Sequence, residues 1–114
     1  MVGTLVAKNL GIKLEEWVLQ ELGFFYPEAR RTKGSGSVND EGDVHAGPYI
    51  IEVKDRPHQR SLSVTETVWL KINAAAQREG KLPLVVSRTR NEIYVTMRWI
   101  EFEQLLIDGR IDKA

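Results

Sequence analysis

Apolar side chains recur at Leu10, Leu14, Trp17, Val18, Leu19 and Leu22, three or four residues apart for most of the way. That spacing predicts an amphipathic helix, and Gly23 follows where a left-handed residue would close it. The aromatic run Phe24, Phe25 and Tyr26 has the composition of a short strand, broken by Pro27. Residues 34–42, GSGSVNDEG, are polar and glycine-rich and predict a loop. Two strands follow at residues 43–46 and 49–54, joined through Gly47 and Pro48 as a hairpin. Tyr49, Ile50 and Ile51 are apolar enough for the second of them to run through the middle of a sheet.

Farther on, Val68, Trp69, Ile72 and Ala76 share one helical face, with capping hydroxyls offered by Ser61 and Ser63 and an ending at Gly80, so a second helix is predicted at residues 64–79. Leu84, Val85 and Val86 form a short buried strand, Arg90 and Asn91 a turn, and Ile93, Tyr94 and Val95 another strand. Helical spacing returns at residues 99–107. The predicted order is α-β-β-β-α-β-β-α. A helix between two strands of one sheet implies a crossover, hence an α/β fold with a central mixed sheet flanked by helices.

The length of 114 residues suits one domain spanning 1–114. No apolar run is long enough for a bilayer, and the first residues, MVGTLVAKNLGIKLEE, lack the pattern of a secretory signal, so an intracellular, cytoplasmic location without a membrane partner is expected. With no cysteine, disulfides and thiolate-bound zinc are excluded. The 16 basic and 16 acidic residues balance, so net charge says nothing of a polyanionic partner. Their distribution says more. Arg30, Arg31 and Lys33 precede the glycine-rich loop, and Lys54, Arg56, His58 and Arg60 follow the central strand. These are surface charges on one reading, and a phosphate-binding rim around the acids between them on the other.

Those acids are Asp43, opening one strand, and Glu52, which lies two residues from Lys54 on the next and therefore on the same face. A carboxylate flanked by Ile50, Ile51 and Val53 needs compensation. A salt bridge to Lys54 would provide it; so would a hard divalent cation, since Mg²⁺ takes one or two carboxylates together with phosphate and water.

The segment from Gly34 to Arg56 bears on this choice. Gly34, Ser35, Gly36 and Ser37, then Gly42-Asp43-Val44, then Ile51-Glu52-Val53-Lys54, after a helix that carries a glutamate, resemble the PD-(D/E)XK nuclease superfamily. Within it the chain is most similar to the archaeal-type Holliday junction resolvases, which phages also carry. The likeness spans roughly residues 8–88; Gly42 stands where family members often have proline, and the loop is several residues longer than the pattern expects.

The resemblance implies a restriction-endonuclease-like core and a metal-dependent DNA endonuclease that resolves four-way junctions as a homodimer. Asp43, Glu52, the Val53 carbonyl and a helix glutamate would hold Mg²⁺ or Mn²⁺. Lys54 would orient or deprotonate the attacking water. Of the helix glutamates, Glu15 falls between Leu19 and Leu22 on a helical wheel, Glu16 beside Gln20 on the polar face, and Glu21 in the last turn, which favours Glu15 with Glu16 next. Arg30, Arg31, Lys33, Ser35, Ser37, Arg56, Arg60 and, from the second helix, Lys71 are the candidate DNA contacts. His45 reads equally as a general base and as a partly buried sheet residue, and is left outside the catalytic set. A nicking or repair endonuclease for other branched or damaged DNA, and an inert DNA-binding protein of the same fold, are the competing readings.

Overall fold

A computed structural model of the chain describes residues 13–32 and 43–109. Leu10, Lys33 and the loop at 34–42, with Ser35 and Ser37, lie outside the described residues. Helix α1 is Leu14–Gly23, and Leu14 and Val18, one turn apart, are its buried residues. No side chain of its N-cap, Lys13, closes the first turn; the Leu14 N–H donates instead to Asp55 Oδ2 at 3.3 Å, far along the chain.

The helix ends differently from its predicted form. Phe24, at φ −68° and ψ −30°, is the C-cap and is right-handed, so Gly23 is not a left-handed cap. Phe24, Phe25 and Tyr26 turn away rather than forming the expected strand. Their N–H groups donate back to the Glu21 and Leu22 carbonyls, the closest being Tyr26 to Leu22 at 2.8 Å, and so satisfy the helix end instead of a sheet ladder. Tyr26 then lays its ring edge-on to Tyr49, 6.4 Å between centroids. Gly47, at φ 53°, passes under that ring so closely that a Cβ there would collide with it. Glycine is thus required by conformation and by space.

The strands are β1 Arg30–Arg31, β2 Val44–Ala46, β3 Tyr49–Asp55, β4 Leu82–Arg88 and β5 Ile93–Thr96, with α2, Glu66–Glu79, between β3 and β4, and α3, Trp99–Ile107, after β5. They form one sheet in the order β1-β2-β3-β4-β5. Only β3 and β4 run parallel, as the crossover through α2 requires. The result is a compact α/β domain: a five-stranded mixed sheet flanked by helices. Among the described residues no helix is long and apolar enough to cross a membrane.

Helix α2 starts later than the serines suggest. Thr65, not Ser61 or Ser63, is its N-cap, because its hydroxyl stands three residues before the Val68 N–H that it accepts, at 3.3 Å. Gly80, at φ 65°, ends the helix in the left-handed form expected of it.

Strand alternation divides the core between the two faces of the sheet. Ile51, Val44, Ala46, Leu84 and Val86 pack with Leu14 and Val18 of α1. Ile50 and Val85 pack with Ile72, Ala75 and Ala76 of α2. Asp55 and Arg88 end the paired strands side by side in register. The Arg88 guanidinium donates to both carboxylate oxygens of Asp55, Nε to Oδ1 at 2.7 Å and Nη2 to Oδ2 at 2.6 Å. Burial alone would raise the Asp55 pKa, but the Arg88 hydrogen bonds, the Leu14 N–H and the charges of Arg88 and Arg56 outweigh it and hold the group below its ordinary value.

Asp55 therefore stabilises the fold at pH values above the ordinary carboxylate range, and that stability is lost as pH falls through its lowered folded value. Asp55→Ala should cost about 3 kcal/mol at neutral pH, because it removes two charge-assisted hydrogen bonds from the nearly buried Arg88 guanidinium as well as freeing the first turn of α1. Urea denaturation of wild type and variant from acid to neutral pH tests this: the two stabilities should converge at the acid end, and a constant gap would show that the charge of Asp55 is not what matters.

Candidate active site

The β2–β3 hairpin places Asp43 immediately before the first residue of β2, where the sheet ladder gives out. Its N–H donates to the Ile51 carbonyl at 2.8 Å and its own carbonyl accepts the Thr32 N–H at 3.1 Å. Its side chain takes the next place in the ladder, Oδ2 accepting the Val53 N–H at 2.7 Å. The aspartate is thus locked to the middle of the Glu52-Val53-Lys54 segment by a charge-assisted bond. Within an extended strand the N–H and C=O of one residue point to the same edge, so the Val53 carbonyl is directed to the side on which Asp43 stands.

Glu52 and Lys54 follow Ile50 on the face of the sheet that α2 covers, and the Lys54 ammonium lies 3.1 Å from Glu52 Oε2, with the Glu52 side chain only 12% exposed. This is the ion pair that a purely structural reading also expects. The pair leaves Glu52 under stress all the same. Burial first, then the charge of Asp43, raise its pKa above the ordinary carboxylate value, although the Lys54 hydrogen bond and the charges of Lys54 and Lys71 pull the other way. Glu15 behaves alike from the other layer. Burial and then Asp43 raise its pKa, the charge of Glu16 adding to them, against opposition from Arg31 and Lys13.

Asp43 is therefore the acid that both glutamates feel, Glu15 from α1 and Glu52 from β3. Glu15 stands at the margin of the buried face and Glu16 is exposed, as the helical wheel places them. Arg31 reaches Glu15 at 3.8 Å. Lys71, exposed on α2, acts on Glu52 through space. Arg30, Arg56 and Arg60 are exposed, the first on the outer strand β1 and the other two beyond the end of β3. His45 is 2% exposed, with Nδ1 at 3.3 Å from Lys81 Nζ, and so is a buried sheet residue.

Two residues near this site escape the sequence reading. Asp55, next to Lys54, looks there like one more charge after the motif, yet it fixes the start of the helix that carries Glu15. Ser87 continues the apolar run of β4 and is paired with Lys54 across the β3–β4 ladder, on the same face of the sheet. Its hydroxyl is buried without a hydrogen-bond partner among the described residues. A small polar residue extending an apolar strand is its only sequence signal.

The donors in this region are all carboxylate and carbonyl oxygens, the chemistry that suits Mg²⁺. Among the described residues no three His, Cys, Asp or Glu side chains group tightly enough to enclose a metal ion by themselves. An ion held by Asp43, Glu52 and the Val53 carbonyl would need only two carboxylates, which is within what Mg²⁺ accepts when water and phosphate complete its shell. Comparison of the chain with protein families, curated proteins and solved structures finds no match.

A raised Glu52 pKa means stability that is complete below the ordinary carboxylate range and is lost as pH rises through the folded value. Glu52→Gln should accordingly raise the melting temperature of the metal-free protein at neutral pH, and the gain should vanish in acid. Saturating Mg²⁺ should raise the wild-type melting temperature at neutral pH, and should do so less in Asp43→Asn and Glu52→Gln. Differential scanning calorimetry with and without the ion decides: equal shifts in all three proteins would remove these carboxylates from any cation site.

Proposed function

We propose that the chain is a Mg²⁺- or Mn²⁺-dependent endodeoxyribonuclease with a restriction-endonuclease-like core, of the PD-(D/E)XK superfamily, which cuts four-way junctions as a homodimer. The observation that carries this reading is the 2.7 Å bond from the Val53 N–H to Asp43 Oδ2. It joins the strand-opening aspartate to the E-V-K strand, and around it Glu15 and Glu52 are both held above the ordinary carboxylate pKa by burial and by Asp43.

Asp43, Glu52 and the Val53 carbonyl would hold the cation, with Glu15 contributing through water from the α1 side. The ion supplies charge neutralisation at the attacked phosphate and acidifies water. The residues do the rest. Lys54, held at 3.1 Å by Glu52, orients the attacking water and offsets charge developing on the phosphate. Arg30 and Arg31 on β1 and Lys71 on α2 extend the positive rim on either side of the acids.

The homodimer finds support in α3. Its buried side is Glu101, whereas Trp99, Ile100, Leu106 and Ile107 are exposed. A helix that shows this much apolar surface fits a protein that meets a second copy, and two opposed cuts need two active sites held at a fixed separation.

The deciding experiment incubates the protein with a labelled four-way junction, a fork and a linear duplex, each with Mg²⁺, Ca²⁺ or EDTA. Cutting of the junction in Mg²⁺ is expected, with binding but little cutting in Ca²⁺. Undiminished cutting in EDTA, or none of any substrate in Mg²⁺ or Mn²⁺, would overturn the proposal. Asp43→Asn, Glu52→Gln and Lys54→Ala should each abolish cutting while the fold and DNA binding persist. Glu15→Gln should lower the rate about 10- to 100-fold with partial recovery at high Mg²⁺, and Glu16→Gln should stay near wild type; the reverse ranking would transfer the helix role to Glu16.

A further inference from the structure

A cavity of about 270 Å³ opens beside Lys54, lined by Lys54, Arg56, Gln59, Ser63, Thr65 and Val68. Its position follows from the crossover. Because α2 connects β3 to the parallel β4, the start of α2 lies at the carboxyl ends of both strands, where open α/β sheets bind their ligands. Lys54 and Arg56 come from the end of β3, Gln59 and Ser63 from the connection, and Thr65 and Val68 from the first turn of a 14-residue helix. The first N–H groups of such a turn have no backbone acceptor within the helix and carry partial positive charge, and of these the Val68 N–H is taken by the Thr65 hydroxyl.

The wall of the cavity is pinned by backbone bonds. Arg56 N–H donates to the Arg88 carbonyl at 2.9 Å, Gln59 N–H to the Arg56 carbonyl at 3.0 Å, and Arg90 N–H to the Gln59 carbonyl at 2.7 Å. The connection is thus tied to β4 and to the turn after it. Among the described residues no carboxylate lines the space, and Val68 is the one aliphatic side chain there. Two cations, an amide and two hydroxyls suit an anion with several acceptor oxygens, and the volume, near the low end for a drug-sized ligand, leaves room for a phosphate group.

Lys54 faces both ways: it is 3.1 Å from Glu52 and it lines the cavity. We infer that this cavity is a phosphate subsite, seating the backbone phosphate next to the one presented to Asp43 and Glu52 and thereby fixing the register of the strand to be cut. The inference rests on the nuclease reading for the identity of the strand, but the affinity of the cavity for phosphate does not depend on cleavage.

The test uses the ¹⁵N-labelled full chain in EDTA, titrated with inorganic phosphate and, separately, with a deoxydinucleotide carrying one internal phosphate. Both should shift the amides of Gln59, Ser63, Thr65 and Val68, and Arg56→Gln should weaken both effects several-fold. On a long DNA, Arg56→Gln should lower the slope of log affinity against log salt by about 1. Gln59→Ala should weaken binding at an unchanged slope, because it removes a hydrogen bond and not a charge.

Unmoved cavity amides, or a Gln59→Ala protein with wild-type affinity for DNA, would overturn the subsite while leaving cleavage in Mg²⁺ to uphold the nuclease reading. Shifts with inorganic phosphate but none with the dinucleotide would make the cavity a free-anion site and overturn the assignment to a DNA strand. Shifts with both in a protein that cuts no DNA would keep the phosphate subsite and remove the nuclease.

Discussion

The Asp55–Arg88 pair constrains more of this structure than any other single contact. Two parallel strands end on it, and the spare hydrogen-bonding capacity of Asp55 takes the first N–H of α1. The residues on which the site depends adjoin these anchors in sequence: Glu15 follows Leu14, and Lys54 precedes Asp55. One ion pair thus sets the relative position of the helix glutamate and the strand lysine. Loss of one partner leaves a charged group in a place with little water, a larger cost than the attraction between exposed charges.

The site itself is built in the opposite sense. Burial and the charge of Asp43 raise the cost of ionising Glu15 and Glu52, and Lys54, Lys71, Arg31 and Lys13 relieve them. Packing would be served better by neutral side chains there. The fold tolerates the concentration of charge because Asp43 is secured by the Val53 N–H and because Glu52 shares an ion pair, so repulsion does not force the acids apart. Crowding of carboxylates in this way is found in functional sites and in structural ion-pair networks alike.

Most of the architecture was legible in the sequence because it is governed by periodicity. The apolar repeat of Val68, Ile72 and Ala76, the alternation along β3 and the glycine at 80 act locally, and each sits where its spacing puts it. The misses come from competition between partners. The N–H groups of Phe24 to Tyr26 had helix carbonyls to satisfy, so strand-like composition did not make a strand. Thr65 outcompeted two serines because capping depends on the distance to one N–H rather than on the presence of a hydroxyl. That Glu52 and Lys54 share a face followed from strand alternation. That Asp43 would be bonded to Val53 depended on hairpin register, and the pairing of Asp55 with Arg88 on a contact 33 residues apart that no local pattern encodes.

The two glutamates approach Asp43 from different layers, Glu15 from the α1 side of the sheet and Glu52 from the α2 side. Secondary elements of a small domain open locally at free energies below that of global unfolding. Fraying of α1 would withdraw Glu15 and its repulsion while Asp43, Glu52 and Lys54 stay fixed on the hairpin. Fraying at the start of α2 would instead uncover Glu52 and dismantle one wall of the neighbouring cavity, leaving Glu15 in place. With the Asp55–Arg88 anchor intact, the constellation therefore weakens by stages, one layer at a time.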